Sequence, residues 1–188
     1  MNTPPRATPA AAGGETGPPT RPHGPQTGGQ SMDTLIRRAK AGDRHAICEI
    51  QRSAILETCR RSYPEEDVTV WAGLLSPETY YGIENRYFVV AERDGALEGF
   101  GQLDEAQGEV DALYVSPRCE SRGTGTALLA HLEARARECG LQELKLRSTL
   151  NAEGFYAKAG YQRMALVRYR LVPALMLVCV EMRKRLTP

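Results

Sequence analysis

A glycine-rich turn before a helix is the first candidate for chemistry in this sequence of 188 residues. Arg122-Gly123-Thr124-Gly125 directly precedes leucines at helical spacing, so the turn forms the N-terminus of that helix. The first backbone N–H groups of a helix lack partners within it, and the helix dipole favours an anion there. Glycine lets a diphosphate approach the backbone closely, and Arg122 adds a positive charge. The pattern predicts a phosphate-binding loop, with a plain turn as the alternative.

A dinucleotide-binding interpretation of this turn is disfavoured. That fingerprint needs a third glycine three residues after the second, and an acid about 20 residues further on, where the next strand ends. The chain has Leu128 at the first of these positions and Ser148 at the second. The loop is therefore expected to hold a diphosphate outside a Rossmann framework.

Two acidic residues lie on the predicted strand before the turn. Glu109 and Asp111 share one face by the two-residue period of a strand, whereas Val110, Leu113 and Val115 are spaced three and then two. A one-residue bulge near Leu113 reconciles the two patterns, and bulges re-aim side chains beside functional sites. The two acids can then face a functional site, and the alternative is that both lie on a solvated strand face.

The elements that position these residues follow from local periodicity and turn signals. Helices are predicted after Asp43 and Pro64 and over residues 124–139 and 151–159. Strands are predicted over residues 34–39, 87–91, 97–103, 109–115, 143–148, 161–171 and 175–185. This order predicts an α/β (α+β) fold with a mixed, mostly antiparallel central sheet of about seven strands and helices on both faces.

Three segments in this order resemble the GNAT superfamily of acyl-CoA-dependent N-acetyltransferases, in its small single-domain bacterial type. They are Val110-Asp-Ala-Leu-Tyr-Val-Ser-Pro117, Arg122-Gly-Thr-Gly125 and Asn151-Ala-Glu-Gly-Phe-Tyr156-Ala-Lys-Ala-Gly-Tyr161. The close match runs from about residue 88 to 163, and the order of elements over residues 32–188 agrees with that fold. The resemblance implies an enzyme that moves an acetyl group from acetyl-CoA, its cosubstrate, to an amine without a metal.

The resemblance also implies roles for single residues. The family's pyrophosphate loop falls on residues 120–125, and Glu120 stands where the family usually has Gln or Arg, so we expect its side chain to point away from the phosphates. Tyr156 falls on the tyrosine that protonates the departing thiolate, with core packing as the alternative. Glu109, and Asp111 after it, fall where some members keep a general base. The implied cofactor-binding residues are Leu113, Val115, Ser121, Arg122, Gly123, Thr124, Gly125, Thr126 and Asn151.

The protonation states of the amine and of the leaving thiolate indicate the mechanism that we expect. An alkylamine with a pKa of about 10.4 is roughly 99.9% protonated at pH 7 and cannot attack a thioester in that form. A carboxylate can accept this proton as the amine enters, and backbone N–H groups near the bulge can hold the developing oxyanion. The leaving thiolate has a pKa of about 8.5, so a phenol with a pKa of about 10 assists it only modestly. We expect direct transfer in a ternary complex, without a covalent enzyme intermediate.

The acceptor side of the reaction is weakly encoded. Tyr63 and Trp71 lie in the second helix region, which in the family commonly walls the acceptor cleft, and core packing of Trp71 is an equal alternative. We expect a small-molecule amine as the acceptor. The alternatives are a protein or peptide N-acetyltransferase, or a non-catalytic acyl-CoA-binding regulatory module. An exposed last strand over residues 175–185 would allow a homodimer.

Composition separates a tail from a domain and excludes other partners. The chain has 24 basic and 23 acidic residues, and this near-neutral balance gives no footprint for nucleic acid. Residues 1–31 contain no Leu, Ile, Val, Phe, Tyr or Trp, so they are predicted to be a disordered tail before one N-acetyltransferase domain at 32–188. That tail lacks the apolar stretch of an export signal, and no run is long enough to span a bilayer. We expect a cytoplasmic protein with no membrane partner.

Overall fold

The computed structural model describes residues 34–187. The tail predicted for residues 1–31, and its boundary with the domain at residue 32, lie outside the described residues. The helices are α1 Arg44–Thr58, α2 Glu65–Gly73, α3 Thr124–Glu138 and α4 Glu153–Lys158. The strands are β1 Leu35–Arg38, β2 Tyr87–Arg93, β3 Ala96–Asp104, β4 Glu109–Val115, β5 Glu143–Thr149, β6 Gln162–Val172 and β7 Leu175–Arg185.

The seven strands form one mixed sheet in the order β1-β2-β3-β4-β5-β7-β6. Every neighbouring pair is antiparallel except β4 and β5, which are parallel. One layer of helices, α1 and α2, packs on one face around Ile47, Trp71 and Tyr114. The layer of α3 and α4 packs on the other face around Leu128 and Tyr156. The predicted mixed, mostly antiparallel sheet with helices on both faces is confirmed.

The prediction that the last strand is exposed is wrong. Strand β7 lies between β5 and β6, and the edge strand is β6. The reason is that β7 buries apolar side chains on both faces, Leu177 and Cys179 toward α1 and α2 and Val180 and Met182 toward α3. Strand β6 exposes Leu166, which is 55% exposed, together with Arg168 and Arg170 on the same face, so it suits the edge of the sheet.

Strand β4 carries the bulge that the spacing of its apolar residues predicts. Gln102 on β3 pairs with Ala112, and the next residue, Leu103, pairs with Val110, so Asp111 is the extra residue. Val110 and Leu113 consequently face the α3 layer while Ala112 faces the α1 layer, which explains the three-residue gap. The bulge lies two residues before Leu113, and it turns Asp111 out of the regular alternation.

The parallel pairing of β4 with β5 is short. The register joins Glu109 to Lys145 and Val110 to Leu146, and β5 then continues along β7 as far as Thr149. Beyond Val110 the two strands separate, so the second half of β4 borders a gap in the middle of the sheet. A gap of this kind leaves main-chain groups of β4 available to a ligand.

Glycines on β3 allow α3 to pack closely on the sheet, which sets the position of the helix N-terminus. A Cβ on Gly99 would lie 2.7 Å from the Tyr114 carbonyl oxygen and 3.1 Å from Leu128 Cδ1. We expect Gly99→Ala to lower the free energy of unfolding by about 1–3 kcal/mol, because β4 or α3 must move. Chemical denaturation measures this loss.

The control is Gly73→Ala, because a Cβ on Gly73 meets no atom within 4 Å. Its stability should equal or slightly exceed that of the wild type. If Gly99→Ala unfolds at the same denaturant concentration as Gly73→Ala, the close approach of β3 to β4 and α3 is not a feature of the folded protein.

Among the described residues, none of the helices has both the length and the apolar character needed to cross a membrane. Residues 34–187 also hold no cluster of three or more His, Cys, Asp or Glu side chains arranged to bind a metal ion.

Candidate active site

The glycine-rich turn forms the N-terminus of α3, as predicted. Gly123 is the N-cap residue with φ 78°, and Ser121 also has a positive φ of 66°. The first intrahelical bond runs from the Ala127 N–H to the Gly123 carbonyl oxygen at 2.9 Å, so the amides of the preceding helical residues point out of the helix end. A Cβ on Gly123 would meet no atom within 4 Å, so a ligand can approach the backbone here.

This helix end opens into a cleft of about 820 Å³, which we call the loop cleft. Most of the cofactor-binding residues implied by the family line it, namely Val115, Ser121, Gly123, Thr124, Gly125, Thr126 and Asn151. Basic side chains on its walls are Arg61 from the segment between α1 and α2, Lys158 from α4 and Lys184 from β7. Leu113 has a fully buried side chain on the neighbouring stretch of β4, so it can offer only main-chain groups.

A buried carboxylate that the sequence analysis missed organises the loop. Glu98 on β3 is only 3% exposed. One of its carboxylate oxygens accepts a hydrogen bond from Thr124 Oγ1 at 2.7 Å, and the other forms an ion pair with Arg122 Nη1 at 3.3 Å. Arg93 Nε lies 3.0 Å from the same carboxylate. These contacts tie the start of α3 to the sheet. The sequence did contain a signal for this site, namely an acidic residue within an otherwise apolar strand. Such a residue is buried only when other polar or charged groups pair with it.

The prediction that Glu120 points away from the loop is wrong for part of its side chain. Glu120 lines the loop cleft, and its Oε1 atom is buried without a hydrogen-bond partner in the described part of the chain. Glu120 directly follows the short helical turn Pro117–Cys119 in the connection between β4 and α3. A carboxylate thus stands in the cleft where the family usually has a neutral or basic side chain.

Two further polar groups near the loop cleft are buried without partners. Asn151 lines the cleft, and its Oδ1 atom makes no hydrogen bond with any described residue. The Tyr156 hydroxyl on α4 is equally unpartnered, and the side chain has no exposed surface. Burial raises the pKa of this hydroxyl far above its usual value, so it stays protonated. A buried group left unsatisfied costs about 1–3 kcal/mol, which a ligand atom can relieve.

A second cleft of about 880 Å³, which we call the bulge cleft, lies beside the bulge of β4. Asp111 and Glu109 both line it, as their common strand face predicts. Gln102 Nε2 donates a hydrogen bond of 2.9 Å to Asp111 Oδ2 across the β3–β4 pair. Burial raises the pKa of Asp111 to about 6, and the nearby Glu109 and Asp104 carboxylates add to the shift. Gln102 was not anticipated from sequence, because only the bulge register brings it to Asp111.

The two acids of β4 have different surroundings. Glu109 Oε1 lies 2.5 Å from Arg147 Nη2, and Glu109 Oε2 lies 3.8 Å from Lys145 Nζ. Both cations come from β5, where the parallel register places Lys145 opposite Glu109. Glu109 is therefore neutralised by two cations, whereas Asp111 accepts its hydrogen bond from a neutral amide.

Tyr63 and Trp71 lie in the core and not on a cleft wall. Trp71 is 1% exposed, and its ring meets the Tyr63 ring edge-on with 6.2 Å between centroids. The Tyr63 hydroxyl donates to the Val178 carbonyl oxygen at 2.7 Å and accepts from the Leu150 N–H at 3.1 Å. The core interpretation of Trp71 fits this placement, and Tyr63, which precedes α2, connects that segment to β7 and to the segment before α4.

Comparisons with known proteins agree with this geometry. A family model described as an acetyltransferase (GNAT) domain matches residues 59–185. An uncharacterised N-acetyltransferase of Methanocaldococcus jannaschii is 32% identical over 143 residues, which cover 72% of this chain and 83% of that protein. An amino-acid acetyltransferase of Neisseria meningitidis is 38% identical over 131 residues, which cover 68% of this chain and 27% of that longer relative. The chain thus spans about a quarter of that relative.

Solved structures share the fold. A GCN5-related N-acetyltransferase from Rhodopseudomonas palustris superposes with a TM-score of 0.77 at 25% identity, over 85% of this chain and 100% of that one. The PaiA N-acetyltransferase of Thermoplasma acidophilum, solved in complex with coenzyme A, superposes with a TM-score of 0.65 at 22% identity, over 82% and 99% of the two chains. Because the family model matches more than half of its residues, the chain belongs to the GNAT family and is an N-acetyltransferase.

Proposed function

We propose that the enzyme transfers an acetyl group from acetyl-CoA to the amine of a small molecule by direct attack in a ternary complex. The observation that carries this proposal is that β4 borders both clefts. Val115 lines the loop cleft and Asp111 lines the bulge cleft. The four-residue step from Asp111 to Val115 spans about 13 Å of strand. A cosubstrate in the loop cleft and an acceptor in the bulge cleft can therefore both extend along β4 and meet between these two residues.

The loop cleft fits the cosubstrate by the chemistry of its donors. The outward-pointing amides at the start of α3 suit a pyrophosphate, and Arg61 and Lys158 supply positive charge on the facing walls. The unpartnered Asn151 Oδ1 atom is an acceptor for an amide N–H of a pantetheine arm. When bound, acetyl-CoA supplies the thioester whose acetyl group is transferred. The near-neutral chain offers no long-range attraction, so these local groups must meet the charge of the phosphates.

We propose Asp111 as the general base, ahead of Glu109. A pKa of about 6 leaves Asp111 ionised at pH 7 and still basic enough to accept a proton from an entering ammonium group. Glu109 is already engaged in ion pairs with Arg147 and Lys145, so its carboxylate oxygens are less available to an entering ammonium group. Glu109 instead acts on Asp111, because its negative charge contributes to the raised pKa of that carboxyl.

Tyr156 is proposed as the proton donor to the departing thiolate. Its hydroxyl keeps its proton over the working pH range and has no hydrogen-bond partner among residues 34–187. Such a group gains its first partner when negative charge develops near it. We do not place Tyr63 or Trp71 at the acceptor, because both side chains are buried in the core.

A small molecule is favoured as the acceptor for two reasons. The bulge cleft has a volume of about 880 Å³, within the range of small-molecule sites. Curated relatives such as the Neisseria meningitidis protein are named amino-acid acetyltransferases, and amino acids are small acceptors. The competing activities are acetylation of a protein or peptide amine, and acyl-CoA binding without turnover.

The test is thiol release from acetyl-CoA with a panel of small amines and of peptides with free N-termini or lysines. Small amines should be turned over faster than peptides, with intersecting lines in a two-substrate velocity plot. Parallel lines, or an acetylated enzyme after quenching, would contradict direct transfer. Faster turnover of peptides would support the protein N-acetyltransferase, and binding of acetyl-CoA without turnover of any amine would support the regulatory module.

A substitution at Glu120 tests the binding of acetyl-CoA at the loop separately from the rate of acetyl transfer. Glu120→Gln removes a carboxylate from the loop cleft at the position where the family usually has Gln or Arg. We expect the KM for acetyl-CoA to fall by about 3–10-fold, because repulsion of the phosphates is relieved, while kcat stays within twofold. Steady-state kinetics at saturating amine measures both constants.

The matched control for that prediction is Glu138→Gln, which removes an acid at the far end of α3. It should leave the KM for acetyl-CoA unchanged. An unchanged or higher KM in Glu120→Gln would mean that Glu120 does not face the phosphates.

We also propose that the protein forms a homodimer. The two copies would pair through the edge strand β6, because β7 lies inside the sheet. Strand β6 has 11 residues, and its Met164 and Leu166 side chains are each 55% exposed. Unpaired edges of this length commonly pair with another chain. Gel filtration with light scattering distinguishes dimer from monomer.

A further inference from the structure

We propose that the acceptor carries a carboxylate beside its amine, and that Arg86 in the bulge cleft binds that carboxylate. This inference rests on the proposed function, since it defines the acceptor of the same site. It predicts a substrate of the amino-acid type, with the ammonium group toward Asp111 and the carboxylate toward Arg86.

Arg86 differs from the other basic side chains of the bulge cleft because its guanidinium makes no close contact with an acid, a carbonyl oxygen or an aromatic ring of the described residues. Within residues 34–187 the Arg86 guanidinium makes no hydrogen bond, ion pair or ring contact. Arg38 donates to the Glu84 and Arg86 carbonyl oxygens and lies over the Tyr87 ring. Arg135 pairs with Glu105 at 2.6 Å. A half-buried guanidinium that makes no direct ion pair or hydrogen bond with the described residues is the feature that a ligand carboxylate would complete.

The position of Arg86 suits this role. It follows the short helical turn Ile83–Asn85 and directly precedes β2, so its backbone is fixed on both sides. Its carbonyl oxygen accepts hydrogen bonds from the Phe88 N–H and from Arg38. The side chain lines the same cleft as Asp111, and its positive charge acts on that carboxyl. A cation and a proton acceptor therefore line the same cleft.

The remaining charges of the bulge cleft favour a zwitterion over a simple amine or a polyanion. Five acidic residues line the cleft, namely Glu84, Asp104, Glu105, Glu109 and Asp111. Glu105 and Glu109 are neutralised by arginines, and Asp104 accepts the Gln107 N–H at 2.9 Å. The acids that remain attract an ammonium group and would repel a phosphate dianion. A single unpaired guanidinium matches a single carboxylate, which it can bind through two parallel hydrogen bonds.

A peptide N-terminus lacks the α-carboxylate, so the inference also separates free amino acids from peptides. The experiment compares three matched acceptors for each carbon skeleton. They are an amino acid, the same compound with its carboxylate converted to an amide, and the amine without the carboxyl carbon. Amino acids with α-, β- and γ-spaced carboxylates cover the possible separations of the two charges. The wild-type enzyme should acetylate the best carboxylate-bearing acceptor at least about tenfold more efficiently than its amide.

Arg86→Met is the test variant, because methionine keeps the length of the side chain and removes the guanidinium. We expect kcat/KM for the carboxylate-bearing acceptor to fall by about 100-fold, and that for the matching amide to change less than about threefold. The KM for acetyl-CoA should not change, and Arg86→Lys should restore part of the preference. Arg168→Met, at an exposed arginine of β6 that lines neither cleft, is the control and should match the wild type.

Equal wild-type rates for acid and amide would overturn the inference and leave the proposed function standing. The same conclusion follows if Arg86→Met lowers both rates by the same factor, because the arginine would then support the fold or the amine site. If acetyl-CoA binds but no acceptor of the panel is turned over, the proposed function fails, and this inference fails with it.

Discussion

Replacing Asp111 with asparagine is expected to lower kcat/KM for the amine by about 10²–10⁴-fold, the usual contribution of a general base. Asparagine has nearly the same shape, and its amide oxygen can still accept the hydrogen bond that Gln102 donates at 2.9 Å. The variant therefore removes the proton acceptor and leaves the geometry of the bulge. The KM for acetyl-CoA should stay close to the wild-type value, because the loop cleft lies on the other part of β4.

The pH dependence of the wild-type enzyme follows from the same group. Burial raises the pKa of Asp111 to about 6, and a general base works only when it is ionised. At fixed concentration of the uncharged amine, kcat/KM should fall as the pH drops through about 6. Asp111→Asn should lose this acidic limb.

Glu109→Gln is the matched control, because it removes the other acid of the bulge cleft and keeps Asp111. Its acidic limb should persist and move to lower pH, since the Glu109 charge is one of the causes that raise the pKa of Asp111. Loss of the limb in Glu109→Gln, with the limb retained in Asp111→Asn, would exchange the roles of the two acids.

Stability should move in the opposite direction to activity. A carboxyl whose pKa is 3.8 unfolded and about 6 folded binds its proton more tightly in the native state. The free energy of unfolding of the wild type therefore decreases as the pH rises through this window. Asparagine carries no such charge, so Asp111→Asn should be more stable than the wild type at pH 8 by about 1–2 kcal/mol, allowing for the solvent-exposed part of the side chain. The two proteins should be equally stable near pH 3.5, which denaturant titration at both values measures.

Local patterns in the sequence were sufficient for the elements that hold the site. The leucine stripe of α3 and the position of β4 follow from the periods of a helix and a strand, and both elements begin within a residue of their predicted starts. The bulge was also predictable, because no regular strand buries Val110, Leu113 and Val115 on one face. These features depend on residues close together in the chain.

The relative order of β6 and β7 was not predictable in the same way. Both strands have 11 residues, and a hairpin can place either one beside β5. The choice depends on which strand has apolar side chains for both helix layers, and those layers are formed by distant segments. Burial of Cys179 against α1 and of Val180 against α3 decides it.

The choice between the two acids was beyond the sequence for a similar reason. Glu109 is neutralised by Arg147, which is 38 residues away in the chain and is brought near by the short parallel pairing of β4 with β5. Asp111 makes no direct ion pair with these cations, although the Arg147 charge still acts on it, and it accepts its hydrogen bond from Gln102 on β3. Two acids of one strand thus acquire different partners from their strand neighbours, two cations for Glu109 and a neutral amide for Asp111.

Replacing Tyr156 with phenylalanine is expected to lower kcat by about 10–100-fold without loss of stability. The effect on kcat is smaller than for Asp111, because a thiolate with a pKa of about 8.5 leaves with only modest help from a phenol. The effect on stability follows from burial. The hydroxyl is fully buried and makes no hydrogen bond in the described chain, so removing it should raise the free energy of unfolding by up to about 1 kcal/mol.

Tyr161→Phe is the control that separates the loss of a proton donor from the loss of a buried hydroxyl. Tyr161 is 3% exposed, its hydroxyl makes no hydrogen bond of normal geometry among the described residues although the Glu133 carboxylate lies close to it, and its ring meets the Tyr156 ring edge-on at 5.7 Å. The two substitutions therefore remove the same group from the same part of the core. If Tyr156 donates a proton, only Tyr156→Phe lowers kcat, while both variants unfold at or above the wild-type denaturant midpoint. A kcat within threefold of the wild type in Tyr156→Phe would show that the hydroxyl is a core group, because packing alone treats the two tyrosines alike.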